Sequence, residues 1–226
     1  MRVIHYNPKM KHQCDHARAF EACGFKATTD PKEPADIHVV SGPYYAKPYW
    51  LDHPRVIEID RAWWGDPHCI SIGWMQPDGT RRFATGLESR QKPEMAPWWD
   101  VVRSCLILAD FQQDTSEIET KARDRFGSVK VRRHPAEQKS ERTLNWDIRS
   151  HDVAIGTSGT SIFEAIKAGT PSICLDPKNE CAPVCSGSID EDLYRGDRDD
   201  WIHNMSYKQF NLDEIDVAWN LLKAIQ

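Results

Sequence analysis

The residues able to do chemistry crowd between Asp152 and Pro171. There Asp152-Val153-Ala154-Ile155 leads into Gly156-Thr157-Ser158-Gly159-Thr160-Ser161, and this into Ile162-Phe163-Glu164-Ala165-Ile166-Lys167-Ala168-Gly169-Thr170-Pro171. An apolar strand that enters a Gly/Ser/Thr loop and leaves as a helix presents unpaired backbone N–H groups at the positive end of the helix dipole. Small residues such as Gly159 let a ligand come close to that backbone, and a diphosphate is well matched to it. The hydroxyls of Thr157, Ser158, Thr160 and Ser161 can add hydrogen bonds. Ser161-x-x-Glu164 also has the spacing of a capping box, in which Glu164 serves a backbone N–H instead of a ligand. Local mechanics weigh the two roles evenly. Gly169-Thr170-Pro171 stops the helix and starts the next strand.

About twenty residues upstream, Arg132-Arg133-His134-Pro135 closes a strand. Read alone, His134 is a strand-end residue before a proline-forced turn. Early in the chain His12, Asp15 and His16 follow the first strand, where α/β folds place active groups, and any of them could serve as a general base. The alternative for Asp15 is a helix-dipole charge, and for the histidines a solvated ring. Asp60 and Asp110, each at a strand end, are further candidates. Of the nine tryptophans, Trp63-Trp64 and Trp98-Trp99 are adjacent pairs. Core packing is the default for one aromatic, but two neighbours on one strand cannot both face a core. Trp63 and Trp64, with Arg81 and Arg82, are therefore candidate acceptor contacts, suited to stacking a sugar ring or an unpaired base.

Composition narrows the class. Hydrophobic residues make up 40% and charged residues 28%, as in ordinary globular proteins. No apolar stretch reaches the length of a membrane span, and Met1–Pro8 is too polar for a signal peptide. The seven cysteines are scattered, and Cys181 and Cys185 lack a second Cys/His pair, so reduced thiols are expected and no metal site. The compartment expected is the cytosol, the host's if the chain is phage-encoded. A net charge of −5 argues against wholesale coating of nucleic acid, although eight cations gather between Lys121 and Arg142.

The elements that must position these groups read as an α/β fold with mainly parallel sheets. Strands are expected at 2–6, 37–40, 56–60, 105–109, 129–132, 153–155 and 172–175, with helices at 13–23, 116–126 and 161–168. Pro77-Asp78-Gly79 reads as the turn of a hairpin. Leu212, Ile215, Ala218, Trp219 and Leu222 space an amphipathic C-terminal helix. A polar, proline-containing stretch at 88–97 suggests a linker, dividing the chain into halves at 1–97 and 98–226.

From Leu106 to Pro177, the order of aspartate, apolar strand, Gly/Ser/Thr loop, Glu-Ala, Ala-Gly-x-Pro and apolar strand resembles the donor-binding half of GT-B glycosyltransferases. Arg132-Arg133-His134-Pro135 looks like their basic HP element. The resemblance implies two small Rossmann-like halves with a cleft between them, and a nucleotide-sugar donor, a UDP-sugar foremost, as co-substrate. It places the diphosphate at 157–161 facing Arg132 and His134, and the ribose at Glu164. No permanently bound cofactor is implied, and no Asp-x-Asp motif stands where a metal-dependent donor site would need it. Asp60-Arg61, Gly65-Asp66-Pro67 and Ser71-Ile72-Gly73-Trp74, with the ending from Asp200 to Ile215, look like small glycosyltransferase-like proteins of bacteriophage. That second resemblance suggests a hydroxymethylated pyrimidine of DNA as acceptor. A cell-surface saccharide and a non-catalytic nucleotide-binding module are the alternatives.

Overall fold

The computed structural model describes residues 1–41, 55–61, 69–86, 90–157 and 160–226. Its first stretch contains β1 (Arg2–His5), α1 (Lys11–Ala22), β2 (Lys26–Thr28), β3 (Ile37–Ser41), β4 (Val56–Arg61), β5 (Ile70–Met75) and β6 (Arg81–Arg82). Then follow β7 (Ser104–Leu108), α2 (Ser116–Phe126), β8 (Ser128–Arg132), α3 (Leu144–Arg149), β9 (Val153–Gly156), α4 (Thr160–Lys167) and β10 (Ser172–Cys174). The chain ends with α5 (Asp199–Ser206), β11 (Gln209–Phe210) and α6 (Ile215–Ala224). It divides into two compact units, the first made of Met1–Gln91 with His203–Gln226 and the second of Lys92–Ile202.

In the first unit the strand order is β11-β5-β4-β3-β1-β2, with β6 added to β5. The strands from β4 to β2 run parallel, and β5 turns antiparallel to β4. The β3 sequence Ile-His-Val-Val-Ser is buried along its whole length, as a strand covered on both faces must be. The Gln76–Thr80 turn brings β5 into β6: Gly79 takes φ +83°, and Asp78 accepts hydrogen bonds from the Thr80 backbone and hydroxyl. The expected hairpin is therefore present.

The C-terminal helix corrects the expected division. Its apolar face, Ile215, Ala218, Trp219 and Leu222, packs into the first unit's core beside Ile4, Phe20, Phe25, Ile57 and Trp74. Trp219 meets Phe25 edge-on at 5.1 Å, and the Trp74 indole N–H donates to Leu222 O at 2.9 Å. Each such side chain contributes about 1.5–3 kcal/mol on full burial. Helical periodicity fixes which face is apolar but not which core receives it. Several short elements, β2, α3, α5 and β11, were not expected from the sequence, because runs this short carry little periodic signal.

The second unit is a four-stranded parallel sheet in the order β10-β9-β7-β8. Helix α4 closes with a Schellman motif: Gly169 N–H donates to Ile166 O and Thr170 N–H to Ala165 O. Gly169 has φ +80°, and a Cβ there would lie 1.9 Å from Pro97 O. Gly169→Ala is therefore expected to cost roughly 2 kcal/mol through left-handed strain and the shift of the 93–99 segment. Gly127 also has positive φ, but a Cβ there meets nothing within 4 Å, so Gly127→Ala is expected to cost less. Chemical denaturation of both variants checks the difference, and equal losses would leave the Pro97 contact without weight.

Candidate functional site

In each unit the chain leaves one central strand toward both sides of the sheet. Strand β1 lies between β2 and β3, and β7 between β8 and β9. Connections that diverge in this way open a crevice at the carboxyl ends of the two strands, the usual ligand position in open α/β sheets.

At the β7–β9 junction, Leu108 and Gly156 are partners in the parallel ladder, so the next residues emerge side by side. The Thr157 hydroxyl donates to the Asp110 carboxylate, and the Asp110 N–H donates to Gln113 Oε1 at 2.9 Å. Gly156 keeps this turn tight, since a Cβ there would come within 2.9 Å of Ile162. Thr160 and Ser161 lie in the first turn of α4, whose N–H groups have no intrahelical acceptor. Ser158 and Gly159 lie outside the described residues. Ser161 is thus inside the helix and not its cap, which removes the capping box; Glu164 pairs instead with Lys167 at 2.9 Å, both side chains about one-third exposed.

The strand-end cations divide. His134 stands exposed beside the junction, its ring edge-on to Phe111 at 5.7 Å and its Nδ1 accepting from Ala136 N–H at 3.2 Å. Arg133 holds the loop after β7 by donating to Gln113 O and the Thr115 hydroxyl. Arg132, expected on the donor diphosphate, is committed elsewhere: it donates to the Asp147 carboxylate, to Ser140 Oγ at 2.9 Å and to Arg142 O at 3.0 Å. Asp147 is fully buried and also accepts from Lys130 at 2.5 Å. Burial alone would raise its carboxyl, yet the hydrogen bonds and charges of Lys130 and Arg132 hold it below the usual carboxylate range.

At the β1–β3 junction of the first unit lies a pocket of about 270 Å³, lined among others by His5, Tyr6, Asn7, Gln13, Thr28 and Ser41. Among the described residues no charged side chain lines it. Gln13 Oε1 accepts from the Asn7 N–H at 2.8 Å. His5 Nε2 and His38 Nδ1 share a hydrogen bond of 2.9 Å, and His16 Nδ1 shares one of 3.1 Å with Ser41 Oγ. Burial, aided by the neighbouring histidine, pushes both His5 and His16 down to about 4, so both rings are neutral at pH 7.

The three expected bases fare differently. Helical spacing sets Gln13, His16, Ala17 and Phe20 on the buried face of α1. His12 is exposed and Asp15 pairs with Arg18 at 3.3 Å. None of His12, Asp15 and His16 lines the pocket, although His16 supports it through Ser41. Trp63 and Trp64 lie outside the described residues. Arg81 donates to Ser71 Oγ at 3.1 Å and sits over the Phe83 ring, while Arg82 is exposed on β6.

Rossmann-like, mainly parallel sheets in two units define a GT-B-like fold. Among the solved structures similar to this chain are two from KpsC of Thermosulfurimonas dismutans. The beta Kdo 2,4 transferase aligns over 98% of this chain and 98% of its own, with a TM-score of 0.53 and 13% identity. The beta Kdo 2,7 transferase covers 77% of this chain and 78% of its own, with a TM-score of 0.50 and 11% identity. No protein-family model and no curated protein matches the sequence.

The sequence reading missed the first unit's pocket and the Asp147 network. A signal for each was present. Polar residues closing the first and third strands, His5 to Asn7 and Ser41, mark a junction once the strand order is known. Lys130 and Arg132, two apart on one strand, share a face and call for a buried counter-charge.

Proposed function

We propose that this chain is a glycosyltransferase that takes a sugar from a nucleotide-sugar donor at the β7–β9 junction and passes it to a hydroxyl of a saccharide. The observation that carries the reading is the junction itself, where the Thr157–Asp110 pair stands at the strand ends and the first turn of α4 follows. Negative charge grows on the leaving phosphate during transfer. The helix N–H groups and His134 would therefore stabilise the transition state more than the ground state. A UDP-sugar is the first donor to test. The uncharged, hydroxyl- and amide-lined pocket of the first unit suits an acceptor sugar ring.

A saccharide acceptor is favoured over DNA. The fold neighbours are Kdo transferases by name. Two of the features that suggested DNA are engaged within the chain: Arg81 is held by Ser71 and Phe83, and the Trp98 ring lies under Arg198 at 4.0 Å. The seven cysteines are all free, which supports a reducing compartment. Among the described residues no helix is long and apolar enough to cross a membrane.

A screen of nucleotide sugars by thermal stabilisation, followed by transfer to a saccharide panel, tests the reading. A bound donor at 100 times its dissociation constant adds about 2.7 kcal/mol to stability. Glu164→Ala is expected to weaken the nucleotide about tenfold if the side chain holds the ribose. If Glu164 serves only the exposed Lys167 pair, the variant should lose well under 1 kcal/mol of stability and keep its affinity. Donor binding without transfer to any acceptor would indicate a non-catalytic module.

A further inference from the structure

Strand β8 is an edge of its sheet, pairing only with β7 among the described residues. A pocket of about 350 Å³ is lined by Lys130–Arg132 of that strand and Arg133 just after it, together with the segment 138–142. Arg132 forms the wall from within, since its guanidinium holds both Ser140 and the Arg142 carbonyl. Residues of the Asp110–Thr157 junction do not line this pocket, and neither does His134.

The charge of the pocket is unbalanced. Lys130, Arg132, Arg133, Lys139 and Arg142 line it, against the single lining carboxylate of Glu141. Asp147 behind the strand meets Lys130 and Arg132, and Glu119 stands 4.0 Å from Arg133. Five cations thus face three carboxylates, and two positive charges remain for a ligand. Lys139 and Arg142 are the exposed members.

We propose that this pocket binds one oxyanion, a carboxylate or a phosphate, carried by an anionic saccharide. The choice of a saccharide rests on the glycosyltransferase reading above; the anion chemistry does not. Nucleic acid fits less well. It needs a track of cations with free aromatic faces, whereas this is a single concavity, and one face of the neighbouring Trp146 is taken by Arg142 at 3.6 Å.

The test is calorimetric titration at low salt with trigalacturonate, glucose 6-phosphate, maltotriose and a single-stranded oligonucleotide. Trigalacturonate or glucose 6-phosphate is expected to bind, and which of them does identifies the oxyanion; maltotriose is expected not to bind here. The double variant Lys139→Ala/Arg142→Ala should weaken the anionic saccharide at least tenfold, with an unchanged circular dichroism spectrum and unfolding midpoint. Lys139→Arg, which retains the charge, should bind as the parent does. Anionic saccharide binding that survives the double variant would overturn the proposal. So would the absence of such binding, or a preference for the oligonucleotide lost in the same variant. Thr157→Val separates this proposal from the donor reading, because it should affect the nucleotide sugar and leave the anionic saccharide bound. Anion binding with no nucleotide-sugar activity would sink the glycosyltransferase reading alone.

Discussion

Asp147→Ala is expected to lower the unfolding free energy by about 3 kcal/mol. Removing one partner from a buried ion pair strands the other charge, at a typical cost of about 3–5 kcal/mol. The lower end applies because Lys130 is 39% exposed and can regain water, whereas Arg132 at 15% cannot. Loss of the carboxylate also releases the Arg132 guanidinium that pins Ser140 and Arg142. The effect has a defined pH signature. The carboxyl of Asp147 is held below its ordinary range when folded, so its contribution is complete above the unfolded value of about 4 and disappears as pH falls through the folded value. Denaturant titrations at pH 7 and pH 3 should therefore show a large gap between parent and variant that narrows in acid. A gap independent of pH would show that packing, not charge, dominates at this position.

Asp110→Ala is expected to reduce kcat/KM with the correct nucleotide sugar on the order of 100-fold, with little loss of stability. The carboxylate accepts from the Thr157 hydroxyl across the β7–β9 junction. A carboxylate beside a phosphate site is repelled by the phosphate itself, so its productive partners there are hydroxyl groups of the donor. A hydrogen bond to a charged group contributes about 1.5–3 kcal/mol, and each 1.36 kcal/mol corresponds to about tenfold in rate. Asp110→Asn should retain part of the activity by keeping an acceptor oxygen. Steady-state kinetics of the two variants, beside their melting curves, decides the matter. Unchanged kcat/KM in a folded Asp110→Ala protein would move the donor away from this junction.

Local order was legible in the sequence, and place was not. The strand at Val153, the small-residue turn after it and the helix through Glu164 could be read directly, because apolar runs and helical spacing record one chain's own backbone. The α2 span at Ser116–Phe126 and the Pro77-Asp78-Gly79 turn were legible for the same reason. The basic Arg132-Arg133-His134-Pro135 element was visible too, but its chemistry was divided by partners distant in sequence. Asp147 takes Arg132, the loop after β7 takes Arg133, and His134 is left exposed at the junction.

Tertiary structure alone decided the rest. The sequence determined that Trp219 lies on an apolar helix face, yet only packing against Phe25 and Trp74 assigned that face to the first unit. It offered His12, Asp15 and His16 as a group, but one turn of α1 separates an exposed ring and an ion-paired carboxylate from a buried, neutral histidine. Gln13, which drew no notice in the sequence, reaches the pocket. Strand order is the physical reason. Which strand ends diverge depends on hydrogen bonds between residues far apart in the chain, such as His38 with Val3 and Leu108 with Gly156, and no local pattern of residue types encodes those pairings.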